Sequence, residues 1–219
     1  MQALSATLRV VRDEHGTLSS VLRCLVLLMS EARRRDRLPE IALLRAMLFY
    51  LDEFSERVHH AKETQLLFPA IRARSGEAAE ILDRLDRDHA YSREAVHELE
   101  HALLGVEMMG RLPEGRARGD RFERALHDYI ARNLEHLEVE ERVVLPLAER
   151  VLAPADWEAL DAAFLAHRDP LGGSEPEAAY RPLFARIRAA LDDPLRLGSA
   201  MEAMRLSYRA GHGPGDRNA

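Results

Sequence analysis

The fold of this chain is decided by the stretch His59-His60-Ala61-Lys62-Glu63-Thr64-Gln65-Leu66-Leu67-Phe68-Pro69. A second stretch, from His136 to Pro146, repeats its pattern H-x3-E-x5-P, and the number of matches expected by chance at this composition is about 0.05. Residues four apart lie on one face of an α-helix, so each histidine projects together with its glutamate. The repeat therefore predicts two helical half-sites, each with one imidazole and one carboxylate.

Each half of the chain also carries one histidine on the apolar stripe of the preceding helix. Apolar residues at steps of three and four flank both of these histidines: Leu8, Val11, Leu18 and Leu22 around His15, and Leu82, Leu85, Val96 and Leu99 around His89. His15 precedes His89 by 74 residues, and His59 precedes His136 by 77 residues. We infer that the two halves are copies of one unit and that their half-sites face one another.

Proline and glycine leave four long windows of the chain uninterrupted, at residues 17–38, 40–68, 77–104 and 120–145. Each window would accommodate a helix of about 30 residues, and the connection from Gly105 to Gly119 would separate the third helix from the fourth. No run alternates in the manner of a strand, and no hairpin dipeptide is present. Helices of this length bury their apolar stripes by packing side by side. We therefore predict an all-α protein with an up-down-up-down four-helix bundle.

The bundle is predicted to span residues 1–153, because the composition changes after that point. Residues 154–208 are predicted to form a small C-terminal helical appendage packed on the bundle. Its first helix would run from Asp156 through Ala166, with Asp156 as a cap, and its second would cover residues 177–192. Residues 209–219 are too polar and too rich in glycine to bury apolar surface, so we predict a disordered tail.

Imidazoles and carboxylates that point into an apolar core need a partner, because burying unpaired charges is costly. Four neutral imidazoles and two carboxylates suit first-row transition metals, and two ions bridged by the carboxylates would use every group. We predict a dinuclear iron site with the ligands His15, His59, Glu63, His89, His136 and Glu140. A metal-free hydrogen-bonded network and a zinc site remain open, although six groups exceed what one tetrahedral zinc ion requires.

Three further residues are candidates for supporting these ligands. His60 adjoins the bundle face and is predicted to contact a ligand or to substitute for one. Glu141 follows Glu140 by about 100° around the helix, so it is expected to contact a ligand or solvent. Tyr129 lies two turns before His136 on nearly the same face, and we expect it to line the pocket and donate a hydrogen bond into it.

The residues around these histidines resemble the hemerythrin-like HHE cation-binding family. The resemblance rests on Arg12 to His15, Val58 to Pro69 and Leu134 to Pro146, and it covers the chain from about residue 4 to residue 152. It implies an up-down-up-down bundle and two iron ions. It also implies terminal imidazole ligands and bridging carboxylates, which would be His15, His59, His89 and His136 for the imidazoles and Glu63 and Glu140 for the carboxylates.

The chain also departs from the oxygen carriers of that family. Those proteins have a fifth histidine from an H-x3-H pair on the third helix, whereas Arg93 stands four residues after His89 here. Their fourth helix also carries its carboxylate at a longer spacing from the histidine. The resemblance is therefore closer to the sensor or bacterial branch. His97 and His101 do form an H-x3-H pair, but they lie two to three turns beyond His89 and are predicted to be on the surface.

Composition excludes several classes of partner. The chain has 219 residues, with 37 acidic residues against 31 basic ones and a net charge of −6. No basic surplus exists to bind nucleic acid or an anionic membrane surface. No run approaches the length of a transmembrane helix and no signal-peptide core is present, so a cytoplasmic location is expected. The single cysteine, Cys24, is predicted to be a buried thiol without chemistry.

Three functions are compatible with such a site. The first is a binding or sensing module whose ligand is dioxygen, nitric oxide or iron itself. The second is an enzyme, because a di-iron centre with an open position can reduce peroxide or dioxygen or scavenge nitric oxide. The third is a metal-free structural bundle. The expected partner is a small diatomic molecule or oxidant, and the sequence identifies no protein partner, although residues 154–208 are the segment where we would look for one.

Overall fold

The computed structural model describes residues 5–109, 112, 115–166, 169–171, 176 and 178–192, and these residues form helices and no strand. Helix α1 is Ala6–Arg34. Helix α2 is continuous over residues 41–74 and has three α-helical parts, Ile41–Tyr50, His60–Lys62 and Phe68–Arg74. Two π-helical parts, Leu51–His59 and Glu63–Leu67, lie between them. Helix α3 is Ala79–Met109.

Helix α4 is continuous over residues 115–151 and comprises Gly115–Val139, the π-helical Glu140–Val144 and Leu145–Val151. Helix α5 is Pro154–Ala166. A short 3-10 turn, Ala178–Tyr180, leads into helix α6, which is Arg181–Leu191. The prediction of an all-α protein is therefore confirmed over the described residues. None of these six helices combines the length and low charge that a bilayer-spanning segment requires.

The helices extend beyond the residues that were expected to end them. Helix α2 continues through Pro69, α4 continues through Pro146, and α3 continues through Gly105 to Met109. The predicted connection from Gly105 to Gly119 is therefore wrong, because it is confined to the residues between Met109 and Gly115. One glycine inside a helix costs only about 1 kcal/mol, and a long buried apolar stripe offsets that cost.

Two apolar clusters form the core, and a polar layer separates them. The first cluster includes Leu22, Leu44, Val96, Leu126 and Phe122, and the second includes Leu8, Phe68, Leu82, Leu145 and Phe164. Helices α1 and α3 pass from the second cluster through the polar layer into the first, whereas α2 and α4 pass from the first into the second. Each of the four long helices therefore crosses the polar layer once, so their polar core side chains meet at one level.

The chain beyond residue 153 packs on both clusters. Phe164 of α5 belongs to the second cluster, and Phe184 of α6 belongs to the first. The Tyr50 hydroxyl donates a hydrogen bond to Asp169 Oδ2 at 2.7 Å, and the Asp161 carboxylate of α5 accepts hydrogen bonds from the start of α1. Residues 193–208 of the predicted appendage and the predicted tail at 209–219 lie outside the described residues.

Candidate metal centre

The polar layer brings together side chains from all four long helices. It contains five histidines and two glutamates, none more than 4% exposed: His15, His59, His60, Glu63, His89, His136 and Glu140. All six predicted ligands are in this set, and His60 joins them. Their roles as ligands stay a prediction, but their side chains lie within a few ångströms of one another.

The repeated proline explains the local shape of the two helices that carry the glutamates. Pro69 and Pro146 lack an N–H, and their rings exclude the carbonyl group four residues earlier, so a regular α-turn is not available there. Instead, the residue before each proline donates its N–H to the carbonyl of the glutamate five residues earlier, Glu63 in α2 and Glu140 in α4. This is the spacing of a π-helix, which is common at functional sites. In both helices the spacing E-x5-P therefore corresponds to a π-helical turn that begins at the glutamate and ends just before the proline.

Candidate ligand atoms form two groups, and within each group they lie within 4.8 Å of one another. One group contains His15, His59, Glu63 and Glu140, and the other contains His60, Glu63, His89 and His136. Glu63 belongs to both groups. The arrangement has the form of two adjacent metal positions that share a carboxylate.

Both glutamates lie between the histidines of the two groups. Oε1 of Glu63 lies 3.8 Å from His15 Nε2, while its Oε2 lies 3.5 Å from His59 Nε2 and 3.6 Å from His89 Nε2. Oε2 of Glu140 lies 3.3 Å from His15 Nε2, and its Oε1 lies 3.1 Å from His136 Nε2. Each carboxylate therefore reaches histidines of both groups, as a bridging ligand must.

Each of the five histidines has an oxygen atom facing its Nδ1 from outside the centre. The Nδ1 contacts are Glu141 at 2.8 Å for His15, Glu14 at 2.8 Å for His59, Glu56 at 2.9 Å for His60, Thr64 at 2.8 Å for His89 and Asp88 at 3.8 Å for His136. A carboxylate that accepts the Nδ1 proton leaves the Nε2 lone pair free and holds the ring in place. Carboxylates hold His15, His59 and His60 in this way, a hydroxyl contacts His89, and Asp88 is too far from His136 for a hydrogen bond.

Many of the atoms that face the centre have no hydrogen-bond partner in the described part of the chain. They are Nε2 of His15, His59 and His60 and all four carboxylate oxygens of Glu63 and Glu140. Leaving one such group buried and unpaired costs about 1–3 kcal/mol, and more when it is charged. A bound cation removes this cost, because every one of these atoms is a lone-pair donor. The residues therefore fit a metal centre of nitrogen and oxygen ligands.

The electrostatics of the centre favour a cation as well. Burial lowers the pKa of His136, but Glu140 and Asp88 outweigh it and raise that pKa to about 10. Burial and the charges of His60 and His136 hold the pKa of His89 far below its usual range. Because the Nε2 atoms of His89 and His136 are 3.0 Å apart, this pair holds one proton between them. A metal ion would displace that proton, so binding releases protons and weakens in acid.

His60 lies closer to the centre than the sequence indicated. Its ring stacks on His89 with centroids 4.1 Å apart, and its Nε2 is one of the unpaired atoms. The Nδ1 atom of His60 is hydrogen-bonded to Glu56, which is fully buried. Of the two predicted roles for His60, contact with a ligand or substitution for one, this geometry favours the second.

Replacing His60 by alanine is expected to lower the affinity for one of two bound ions by about 10- to 100-fold, because one imidazole is lost from the second group. The measurement is an anaerobic titration of the metal-free protein with ferrous iron. His97→Ala is the matched control, since His97 is half exposed and contacts Asp52 at the surface. If both variants bind iron equally well, His60 is not a ligand.

Glu141 and Tyr129 lie outside the ring of Nε2 atoms. Glu141 contacts His15 and is 3.6 Å from Arg12. The Tyr129 hydroxyl donates a hydrogen bond to Glu56 Oε1 at 3.4 Å, so it lies behind His60. The expectation that Tyr129 donates into the pocket is therefore wrong, because its hydroxyl donates a hydrogen bond to the buried carboxylate of Glu56 instead.

Four residues that face the histidines from outside the centre were not predicted from the sequence: Glu14, Glu56, Thr64 and Asp88. Glu56 precedes His60 by four residues, so helical spacing alone would have identified that pair. The pairing of Glu14 with His59 joins α1 to α2, and no local spacing indicates it. It depends on how the two helices pack.

A comparison with protein families agrees with this geometry. The family model described as the hemerythrin HHE cation-binding domain matches residues 6–148. No curated protein and no solved structure matches the chain significantly. The matched region contains every residue of the two candidate ligand groups.

Proposed function

Because the chain belongs to the hemerythrin HHE cation-binding domain family, we propose that it is a metal-binding protein with a non-haem di-iron centre. Its proposed role is to bind or sense dioxygen, nitric oxide or iron. The observation that carries the proposal is the convergence of five Nε2 atoms and two glutamates, with an oxygen facing each Nδ1 from outside. A hydrogen-bonded core without metal would leave few such atoms unpaired, whereas Nε2 of His15, His59 and His60 and the oxygens of both glutamates have no hydrogen-bond partner among the described residues.

The donor set supports two ions and not one. Seven groups exceed the four ligands of a structural zinc ion, and they separate into two groups that share Glu63. One position would have the imidazoles of His15 and His59, and the other would have those of His60, His89 and His136. When bound, iron supplies redox chemistry and an open coordination position for a small ligand. Each ligand group contains four residues, and Glu140 of the first group also reaches His136 of the second. The position with two imidazoles would therefore have one donor fewer, so we expect the open position there.

The residues around the centre keep it dry and hold its ligands in place. The two apolar clusters cover the polar layer on both sides, which excludes water and strengthens every electrostatic contact inside. His15 itself lines a surface groove together with Arg12 and Gly16, and its partner Glu141 is about one-third exposed. We propose that small molecules approach the centre from this side.

The order of the two apolar clusters along the four long helices reverses from each helix to the next. This alternation supports an up-down-up-down bundle, which we include in the proposal. The same arrangement lets two copies of a histidine-glutamate unit face one another across the polar layer.

Reconstitution with ferrous iron under anaerobic conditions tests the proposed function. We expect about two iron ions per chain, as the two ligand groups require, and new near-ultraviolet charge-transfer absorption when air is admitted. His59→Ala should lose this absorption and at least one ion. A wild-type chain that stays folded and binds no iron would overturn the proposal and would favour a hydrogen-bonded core.

A further inference from the structure

Lys62 is the one lysine in a chain whose other basic residues are arginines, and it is buried beside the metal centre. Its Nζ donates hydrogen bonds to both oxygens of Glu14, at 3.0 and 3.3 Å. The same Nζ lies 4.7 Å from the ring centroid of Phe164 on α5. Lysine usually extends its charged group into water, so an ammonium held in this position indicates a specific role.

Lys62 reaches the centre through Glu14. Glu14 Oε2 accepts the Nδ1 proton of His59 at 2.8 Å, and the same oxygen accepts a hydrogen bond from Lys62. The Glu14 carboxylate therefore shares its negative charge between the imidazole of His59 and the ammonium of Lys62.

The neighbouring histidine has a different environment. His60 donates to Glu56, whose other described hydrogen-bond donors are the hydroxyl groups of Ser92 at 2.6 Å and Tyr129 at 3.4 Å. Hydroxyl groups are neutral, so they withdraw less charge from a carboxylate than an ammonium does. His59 and His60 belong to different ligand groups. The carboxylate behind His59 therefore has less negative charge available for its imidazole than the carboxylate behind His60 has.

We propose that Lys62 is a positioning residue that acts through Glu14 and makes His59 a weaker electron donor than His60, so that the two metal positions differ in affinity. This inference rests on the proposed function. Hydrogen bonds behind a ligating histidine control its basicity, and a buried cation close to the centre also repels a bound metal ion. Both effects weaken metal binding in the group that contains His59.

The test compares Lys62→Met with wild type, with Co²⁺ as the probe in an anaerobic titration. Methionine removes the charge and keeps the length of the side chain. We expect the weaker of two Co²⁺ ions to bind about tenfold more tightly, while the melting temperature of the metal-free protein falls because Glu14 has lost a partner. Lys62→Arg keeps the charge and should retain the wild-type affinity.

Arg74→Met is the matched control. Arg74 also connects α2 to α5, through an ion pair with Asp156, but it lies about three turns further along α2. The substitution Arg74→Met also removes one positive charge, but far from the two ligand groups. It should therefore leave the Co²⁺ affinity unchanged. If Lys62→Met does not fold without metal, Lys62→Gln replaces it, because the glutamine amide can still donate a hydrogen bond to Glu14. Lys62→Gln also removes the positive charge, so it should also bind Co²⁺ more tightly than wild type.

The outcomes separate this inference from the proposed function. A lysine with a purely structural role would lose stability and metal affinity together when replaced. Weaker or unchanged Co²⁺ binding in a folded Lys62→Met or Lys62→Gln variant therefore overturns the inference about Lys62. The proposed function as a metal-binding protein would not be affected by that result. A wild-type protein that binds neither Co²⁺ nor iron overturns the proposed function and this inference with it.

Discussion

Replacing Glu63 by alanine is expected to remove metal from both positions of the centre. Among the described residues, Glu63 is the ligand candidate common to the two groups. One of its oxygens faces His15, and the other faces His59 and His89. Its loss removes one donor from each position together with the bridge, so we expect the affinity for iron to fall more than about 100-fold. The loss of affinity is measured as the iron content per chain after anaerobic reconstitution and desalting.

Glu138→Ala is the control for this prediction. Glu138 lies on α4 between two ligand candidates in the sequence, but its side chain is exposed and pairs with Arg142. It should keep the full iron content. Metal binding stabilises a folded chain, so the rise in melting temperature that iron produces in the wild type should also disappear in Glu63→Ala. A Glu63→Ala protein that retained both ions would contradict the shared bridge.

Replacing Asp161 by alanine is expected to destabilise the whole bundle. The Asp161 carboxylate accepts hydrogen bonds from the hydroxyl groups of Ser5 and Thr7, both at 2.6 Å, and from the backbone N–H groups of Ala6 and Thr7 at 3.2 and 2.8 Å. It therefore caps α1 from another helix. Losing an ionised acceptor with four donors should lower the free energy of unfolding by about 3 kcal/mol. Urea unfolding followed by circular dichroism measures the change.

The effect of Asp161 should depend on pH. Burial raises the pKa of Asp161, but the hydrogen bonds from Ser5, Thr7 and Ala6 outweigh it and lower that pKa. A carboxyl group with a lowered pKa in the folded state stabilises the protein above its unfolded pKa of about 3.9 and loses that contribution as the pH falls through the folded pKa. The difference in stability between wild type and Asp161→Ala should therefore narrow below about pH 4.

Asp120→Ala provides the comparison for Asp161. Asp120 is half exposed, and its carboxylate lies 3.9 Å from Arg33, so its removal should cost less than about 0.5 kcal/mol. An Asp161→Ala variant as stable as Asp120→Ala would show that α1 does not need this cap.

Much of the candidate site could be predicted because its signals are local. The repeat H-x3-E-x5-P identified His59, Glu63, His136 and Glu140, and the structure brings all four into the polar layer. His60 was harder to assign, because adjacent helical residues point about 100° apart. The structure places His59 in one ligand group and His60 in the other. That divergence suits two neighbouring ions.

Other features could not be read from spacing, because they join distant parts of the chain. The prediction that α5 starts at Asp156 is wrong, because the helix begins at Pro154 and Asp156 lies in its first turn. The Asp156 carboxylate still accepts a hydrogen bond from the N–H of Ala153, which is a short-range contact. Asp161 instead caps α1, across more than 150 residues of sequence. Likewise, the Tyr129 hydroxyl donates a hydrogen bond to Glu56. That contact depends on how far α4 is shifted along α2, which the sequence spacing does not indicate.

The sequence by itself determined that the chain is helical, which face of each helix is apolar and where histidine and glutamate lie on that face. These properties follow from periodicity and from the chemistry of single side chains. Only the tertiary structure decided which oxygen faces each imidazole, that His60 joins the centre and that Lys62 stands behind His59. Those contacts depend on the rotation and register of helices that are far apart in the chain, and packing of the whole core sets both.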